Sequence, residues 1–193
     1  EFSMPPIDRH LLPLLTLVWL SLVLPITLTG LEPLPGSMTT EEHFDELQAG
    51  DFETLDSKVG SWQVVKGRCL IDDQHAKTGR QCLQLAGGES TVVELGLSEA
   101  VDTSGKLSFW AERWTARQPF SYRIEKYSQG KWMEIYNGDR EVIVGRAFKA
   151  FVTVPLRDAE IEKLRFQVTS PPDTGILLDH LRFAASVPQR VLT

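Results

Sequence analysis

Ten short runs rich in Val, Ile, Leu, Phe, Tyr and Trp, each closed by turn-forming residues, decide what this chain can fold into. They lie at 62–66, 68–71, 81–85, 91–97, 106–114, 121–127, 131–136, 147–154, 164–169 and 176–183. Between them stand Asp72-Asp73, Lys77-Thr78-Gly79, Gly87-Gly88, Ser104-Gly105, Ser128-Gln129-Gly130, Asn137-Gly138-Asp139 and Pro171-Pro172-Asp173. Short strands spaced about 8–12 residues apart predict an all-β protein, an antiparallel β-sandwich of the jelly-roll kind. A helical window occurs only at 156–163, where Asp158-Ala159-Glu160 reads as one turn. No repeat of fixed period is present, which argues against a propeller or solenoid.

A different pattern precedes the strands. Residues 11–28, LLPLLTLVWLSLVLPITL, are uncharged and follow Arg9 and His10. A basic flank, an apolar run and then a polar chain is the pattern of a signal peptide, and the length also reaches the lower limit of a membrane anchor. Pro13 and Pro25 weaken a straight helix there. Either reading exports the rest of the chain. The sequence therefore divides into a hydrophobic signal or anchor helix at 1–30, a linker at 31–50, a sandwich module at 51–184 and a tail at 185–193. Within the linker, Thr39 or Thr40 before EEHFDELQ would cap a short helix.

Of the net charge of −6, −5 lies beyond residue 30. A pI near 5.3 excludes the basic footprint of a nucleic-acid binder. The two cysteines, Cys69 and Cys82, exclude a disulfide-rich scaffold. They flank a turn-rich loop centred near residues 75–76, so an antiparallel hairpin would set them close enough for one bridge. The alternative is two separately buried thiols.

Alternation along three strands points to an aromatic face. With Leu107, Phe109 and Ala111 turned inward, Trp110, Glu112 and Trp114 face out. The same rule leaves Arg123, Glu125 and Tyr127 outward on the next strand, and Trp132, Glu134 and Tyr136 on the one after. If the three strands are neighbours, these nine residues share one surface. Aromatic rings pack on the C–H faces of sugars, and the charged groups pair with hydroxyls. Arg123 would pair bidentately with the carboxylate of an acidic sugar. Cross-strand pairs of this kind also stabilise an ordinary solvent-facing sheet, and a one-residue register error swaps the faces.

Further stretches occur in a fixed order: Asp51-Phe52-Glu53, Trp62, the run His75-Ala76-Lys77-Thr78-Gly79-Arg80-Gln81-Cys82-Leu83-Gln84-Leu85, and Gly175-Ile176-Leu177-Leu178-Asp179-His180-Leu181-Arg182-Phe183. Together they resemble the galactose-binding-like jelly rolls that serve as carbohydrate-binding modules, including the N-terminal β-sandwich of secreted bacterial exo-sialidases. The resemblance covers residues 51–184. It implies a glycan or polysaccharide partner, and a structural calcium between an N-terminal acid, here Glu53, and an acid on the last strand, here Asp179. His180 stands where a second Asp is common in those modules.

No catalytic residue is marked. G-x-S-x-G, H-E-x-x-H and the P-loop are absent. A glycosidase would have to draw a carboxylate pair from Glu112, Glu125 and Glu134. The sequence thus predicts a non-catalytic carbohydrate-binding accessory module, with a structural or protein-interaction sandwich, or a fragment of a secreted glycosidase, as alternatives.

Overall fold

The computed structural model describes residues 39–186 apart from 146, 158 and 159, and of Glu89 only the backbone. The segment 1–30, and most of the tail 185–193, lie outside the described residues. So do Asp158 and Ala159 of the expected turn. Among the described residues no helix is long and apolar enough to cross a membrane.

Among the described residues eleven strands form: β1 (Thr39–Glu42), β2 (Gly50–Phe52), β3 (Thr54–Ser57), β4 (Gly60–Lys66), β5 (Cys69–Asp72), β6 (Cys82–Leu97), β7 (Lys106–Arg113), β8 (Ser121–Ser128), β9 (Lys131–Asn137), β10 (Ala150–Pro155) and β11 (Lys163–Ala184). The pairings among them are all antiparallel. The N-terminal half of β11 pairs with β8 and with the C-terminal half of β6. Its C-terminal half pairs with β7, β1 and the N-terminal half of β6. Two sheets result, joined by these two long strands. The first runs β9-β8-β11-β6-β4-β3, the second β10-β7-β11-β6-β5-β2, with β1 on the far end of β11.

The crossing explains two turn signals that sequence reading takes as breaks. Gly87-Gly88 and Pro171-Pro172-Asp173 lie inside β6 and β11, where the pairing register shifts between Val168, Ser170 and Gly175. Both strands bend there to pass from one sheet to the other. Gly175 has φ of +142° and lies so close to β6 that a Cβ would overlap the Leu85 carbonyl oxygen. A larger residue fits neither the dihedral nor the space.

Between the sheets lies one core. It takes Trp62, Val93, Leu95, Ile124, Leu164 and Phe166 from the first sheet, and Leu83, Leu107, Phe109, Val152, Leu178 and Phe183 from the second. Strict alternation in β10, buried at Ala150, Val152 and Val154 and exposed at Phe151 and Thr153, shows the half-buried pattern.

The first described residues depart from expectation. Thr39–Glu42 pairs with β11 rather than capping a helix. Glu42 is buried and accepts the Phe44 and Lys58 backbone N–H groups at 2.7 and 2.9 Å. Bonds to β11 and the burial of Phe44 outweigh the local cap signal.

The expected cysteine bridge is also corrected. β5 and β6 pair Asp72 with Cys82 and Cys69 with Leu85, so the hairpin centre lies beyond residue 76. Cys82 is then three residues from the partner of Cys69, an odd offset that puts the thiols on opposite faces. Both are free and buried: Cys69 is in the main core, Cys82 in a small cluster with Phe148 and Leu177. Burial pushes the Cys69 thiol up to about 12 and the Cys82 thiol further, with Asp72, Asp179 and Glu112 adding to the latter. A thiol reagent at pH 8 should find no reactive thiol in the native protein and two after denaturation. A melting temperature that falls on adding reductant would contradict the arrangement.

Candidate functional site

The nine residues expected on one face divide between the two sheets. β7 pairs with β10 and β11, and β8 pairs with β9 and β11, so β7 is not beside β8. Trp110, Glu112 and Trp114 therefore belong to the outer side of the second sheet. Loops cover that side. Trp110 and Trp114 pack on Cys82, Phe148 and Leu177. The Lys77 ammonium lies 4.3 Å over the Trp110 ring, Phe151 stands 4.8 Å from it, and Glu112 accepts the Phe148 N–H at 2.7 Å. Trp114 meets His75 edge-on at 5.0 Å and, with Glu112 and Phe148, lines a cleft of about 640 Å³.

Arg123, Glu125, Tyr127, Trp132 and Glu134 do share the outer face of the first sheet. Tyr136 does not. A bulge between Ile124 and Glu125 sets Tyr136 opposite buried Ile124, and its ring packs inward on Tyr122 at 6.1 Å. Burial raises the Tyr136 hydroxyl above its ordinary range.

Two rows of side chains cross this face, fixed by strand register. One runs Thr54, Gln63, Glu94, Arg165, Glu125, Glu134; the next runs Asp56, Ser61, Gly96, Lys163, Tyr127, Trp132. In the first row Arg165 donates to Glu94 at 2.7 and 3.1 Å and to Glu125 at 3.4 Å. Its guanidinium also lies 3.7 Å over the Trp132 ring, fixing the indole against Tyr127, 5.1 Å away. In the second row Lys163 reaches Glu94 at 3.8 Å. Gly96 has no side chain, so the face dips between Lys163 and Ser61. Two depressions of about 410 Å³ each follow that row and share Glu94 and Lys163; one has Tyr127 and Trp132 as its wall, the other Asp56, Ser61 and Gln63.

Lys163, Arg165 and Glu94 were missing from the expected site. Alternation already points Arg165 outward, yet only the pairing of β11 with β8 places it beside Trp132. Arg123, in contrast, is committed. It donates to Asp139 through both terminal nitrogens, meets Glu134 at 3.2 Å, and so is not open to a sugar acid. Asp139 also accepts the Tyr122 N–H at 2.9 Å, and these contacts hold its carboxyl below the usual range, led by the Arg123 hydrogen bond. A depressed carboxyl stabilises the fold above its unfolded pKa and loses that contribution as pH falls through the folded one. Asp139→Asn should therefore cost about 1 kcal/mol at pH 7, and the difference from wild type should close towards pH 3. Urea unfolding at the two pH values measures it.

The two acids expected to hold calcium are placed apart in role. Glu53 is exposed and lines a surface groove with residues 63–69. Asp179 is fully buried, accepts the Lys77 and Thr78 N–H groups at 2.6 and 2.8 Å, and is raised by desolvation. Among the described residues neither belongs to a cluster of three or more His, Cys, Asp or Glu donors. Calcium takes six to eight oxygen ligands, so a calcium site on either acid would draw most of its ligands from backbone carbonyls or water.

The sequence matches no family model and no curated protein. Solved structures do match. The chain is similar to the K2 cleaved adhesin domain of Lys-gingipain at 17% identity, over 75% of this chain and 98% of that one, with a TM-score of 0.50. The K1 cleaved adhesin domain of Lys-gingipain from Porphyromonas gingivalis W83 matches at 19% identity over 77% and 99%, TM-score 0.47. A non-crystalline cellulose specific carbohydrate-binding module, CBM28, matches at 14% identity over 65% and 87%, TM-score 0.46. At these identities the likeness is one of fold.

Proposed function

We propose that this protein is a non-catalytic carbohydrate-binding module of an exported protein, and that it holds an oligosaccharide along the outer face of the first sheet. The observation that carries this reading is the row Trp132, Tyr127, Lys163, Gly96, Ser61, Asp56. An aromatic wall pre-set by Arg165 lines one depression, and beyond Lys163 and Glu94 the next has a floor without a side chain at Gly96, flanked by anionic and hydroxyl groups. A sugar ring offers an apolar C–H face and a rim of hydroxyls, and this groove matches both. Lys163 adds the positive charge that an acidic sugar such as a sialoside would use. That finer assignment, and a place beside a sialidase, rest on the resemblance of the quoted sequence stretches. Glu125 and Glu134 lie opposite each other, but each carboxylate is paired, with Arg165 and Arg123 respectively, which favours binding over hydrolysis.

The test is a titration of the full chain with neutral and sialylated oligosaccharides, followed by tryptophan fluorescence. Saturable quenching is expected. For a sialoside it should weaken with salt, since Lys163 is half exposed and its charge is screened. Absence of a response to every sugar would overturn the reading, and release of a fluorogenic leaving group from a sialoside would replace it with an enzymatic one.

A further inference from the structure

Three side chains converge where β1 meets β11, away from the groove. Antiparallel pairing sets Glu41 opposite Arg182 and Glu42 opposite Leu181. Continued by one residue, that register puts His43 opposite His180. Glu41 and His43 are two apart, so both lie on the same side as His180. The His43 and His180 rings stack with centroids 4.2 Å apart and planes inclined by 28°. The Nε2 atoms of both point at one oxygen: Glu41 Oε2 is 3.4 Å from His43 and 3.3 Å from His180. One donor atom from each of the three residues lies within 4.8 Å of the others, and no other such cluster forms among the described residues.

The backbone aims the group. His180 sits at a register shift between Asp179 and Arg182 and has φ of +50°. A left-handed residue inside a strand marks a bulge, and a bulge re-aims a side chain. Outer partners are in place as well. Arg182 Nε holds the other oxygen of Glu41 at 3.2 Å, and His43 Nδ1 faces Thr78 Oγ1 at 3.4 Å. Contacts of that kind fix the orientation of metal ligands.

We propose that Glu41, His43 and His180 form a binding site for one divalent transition-metal ion of the zinc class. Bonds of about 2.0–2.2 Å in a tetrahedral shell place neighbouring ligand atoms about 3.3–3.5 Å apart, which is the spacing already set around Glu41 Oε2. Two imidazoles and one carboxylate suit zinc, copper or nickel and exclude a preference for calcium or magnesium, which take oxygen ligands. All three side chains are about a third exposed, so an ion reaches the site from solvent and keeps water in its remaining position. The ion would tie β1 to the last strand and thereby lock the start of the sandwich.

The experiment is equilibrium dialysis of the full chain against Zn²⁺, with thermal unfolding in parallel. One ion per chain is expected, with a rise in melting temperature that a chelator reverses. His43→Ala and Glu41→Gln should each weaken binding at least about tenfold. His180→Asn should do the same, because Asn accepts the left-handed backbone and leaves the fold intact. His75→Ala, which is outside the cluster and paired with Asp72 and Trp114, should bind as wild type does. No stoichiometric uptake by the wild type, or undiminished uptake by folded His43→Ala, would overturn the proposal.

Discussion

Trp62→Ala is expected to lower the unfolding free energy by about 3–5 kcal/mol, a large part of the roughly 5–15 kcal/mol that holds a domain of this size. Trp62 is 1% exposed and among the largest fully buried side chains. Its ring packs between Phe166 of β11, 5.6 Å away, and Phe44 after β1, 6.2 Å away. Its Nε1–H donates to Ser57 Oγ at 3.0 Å, so the indole is satisfied in the core. Truncation removes the filler that joins β4, β11 and the β1 corner, and three strands cannot collapse onto the void together. Trp62→Phe keeps most of the volume and loses one hydrogen bond, so it should cost far less. Urea unfolding of both variants, read by circular dichroism, checks the order. Equal and small losses would mean that the first sheet does not pack as described.

The second large effect concerns binding. Trp132→Ala should reduce glycan affinity by about tenfold or more, equivalent to about 1.4 kcal/mol. Trp132 lies near the edge of the sheet, half buried, and its loss frees Arg165 from the ring it covers. That contact is worth roughly 0.5–1 kcal/mol at a partly exposed site, so stability falls a little while binding falls a great deal. Arg165→Met separates the two contributions. It leaves Glu94 and Glu125 without their shared cation and should loosen the indole, lowering affinity through positioning rather than contact.

Much of this architecture can be read along the chain, because period-2 alternation is local. β7, β8 and β9 show it within one or two residues of their observed ends. What local pattern cannot carry is which strand lies beside which. Trp110 and Trp132 have the same sequence signature, yet β11 separates their strands into different sheets. Nor does a glycine pair say whether a strand stops or bends. Gly87-Gly88 has the composition of a turn, and it bends because β11 passes close enough to hold β6 in register on both sides. The cysteine pairing failed for a related reason. Parity decides the face, and with the hairpin centred further along the chain the partner of Cys69 moves from Cys82 to Leu85, an odd offset that inverts it. Arg165 and Lys163 were visible as outward-facing charges, but only their opposite numbers Glu125 and Tyr127 set them beside the aromatic pair.

Isothermal titration of the best-binding oligosaccharide into wild type, Trp132→Ala and Trp114→Ala tests the central assignment most directly. Binding on the first sheet predicts saturable heat for wild type and Trp114→Ala and its loss in Trp132→Ala. Binding retained by Trp132→Ala and lost by Trp114→Ala would move the site to the cleft of the second sheet and contradict this account.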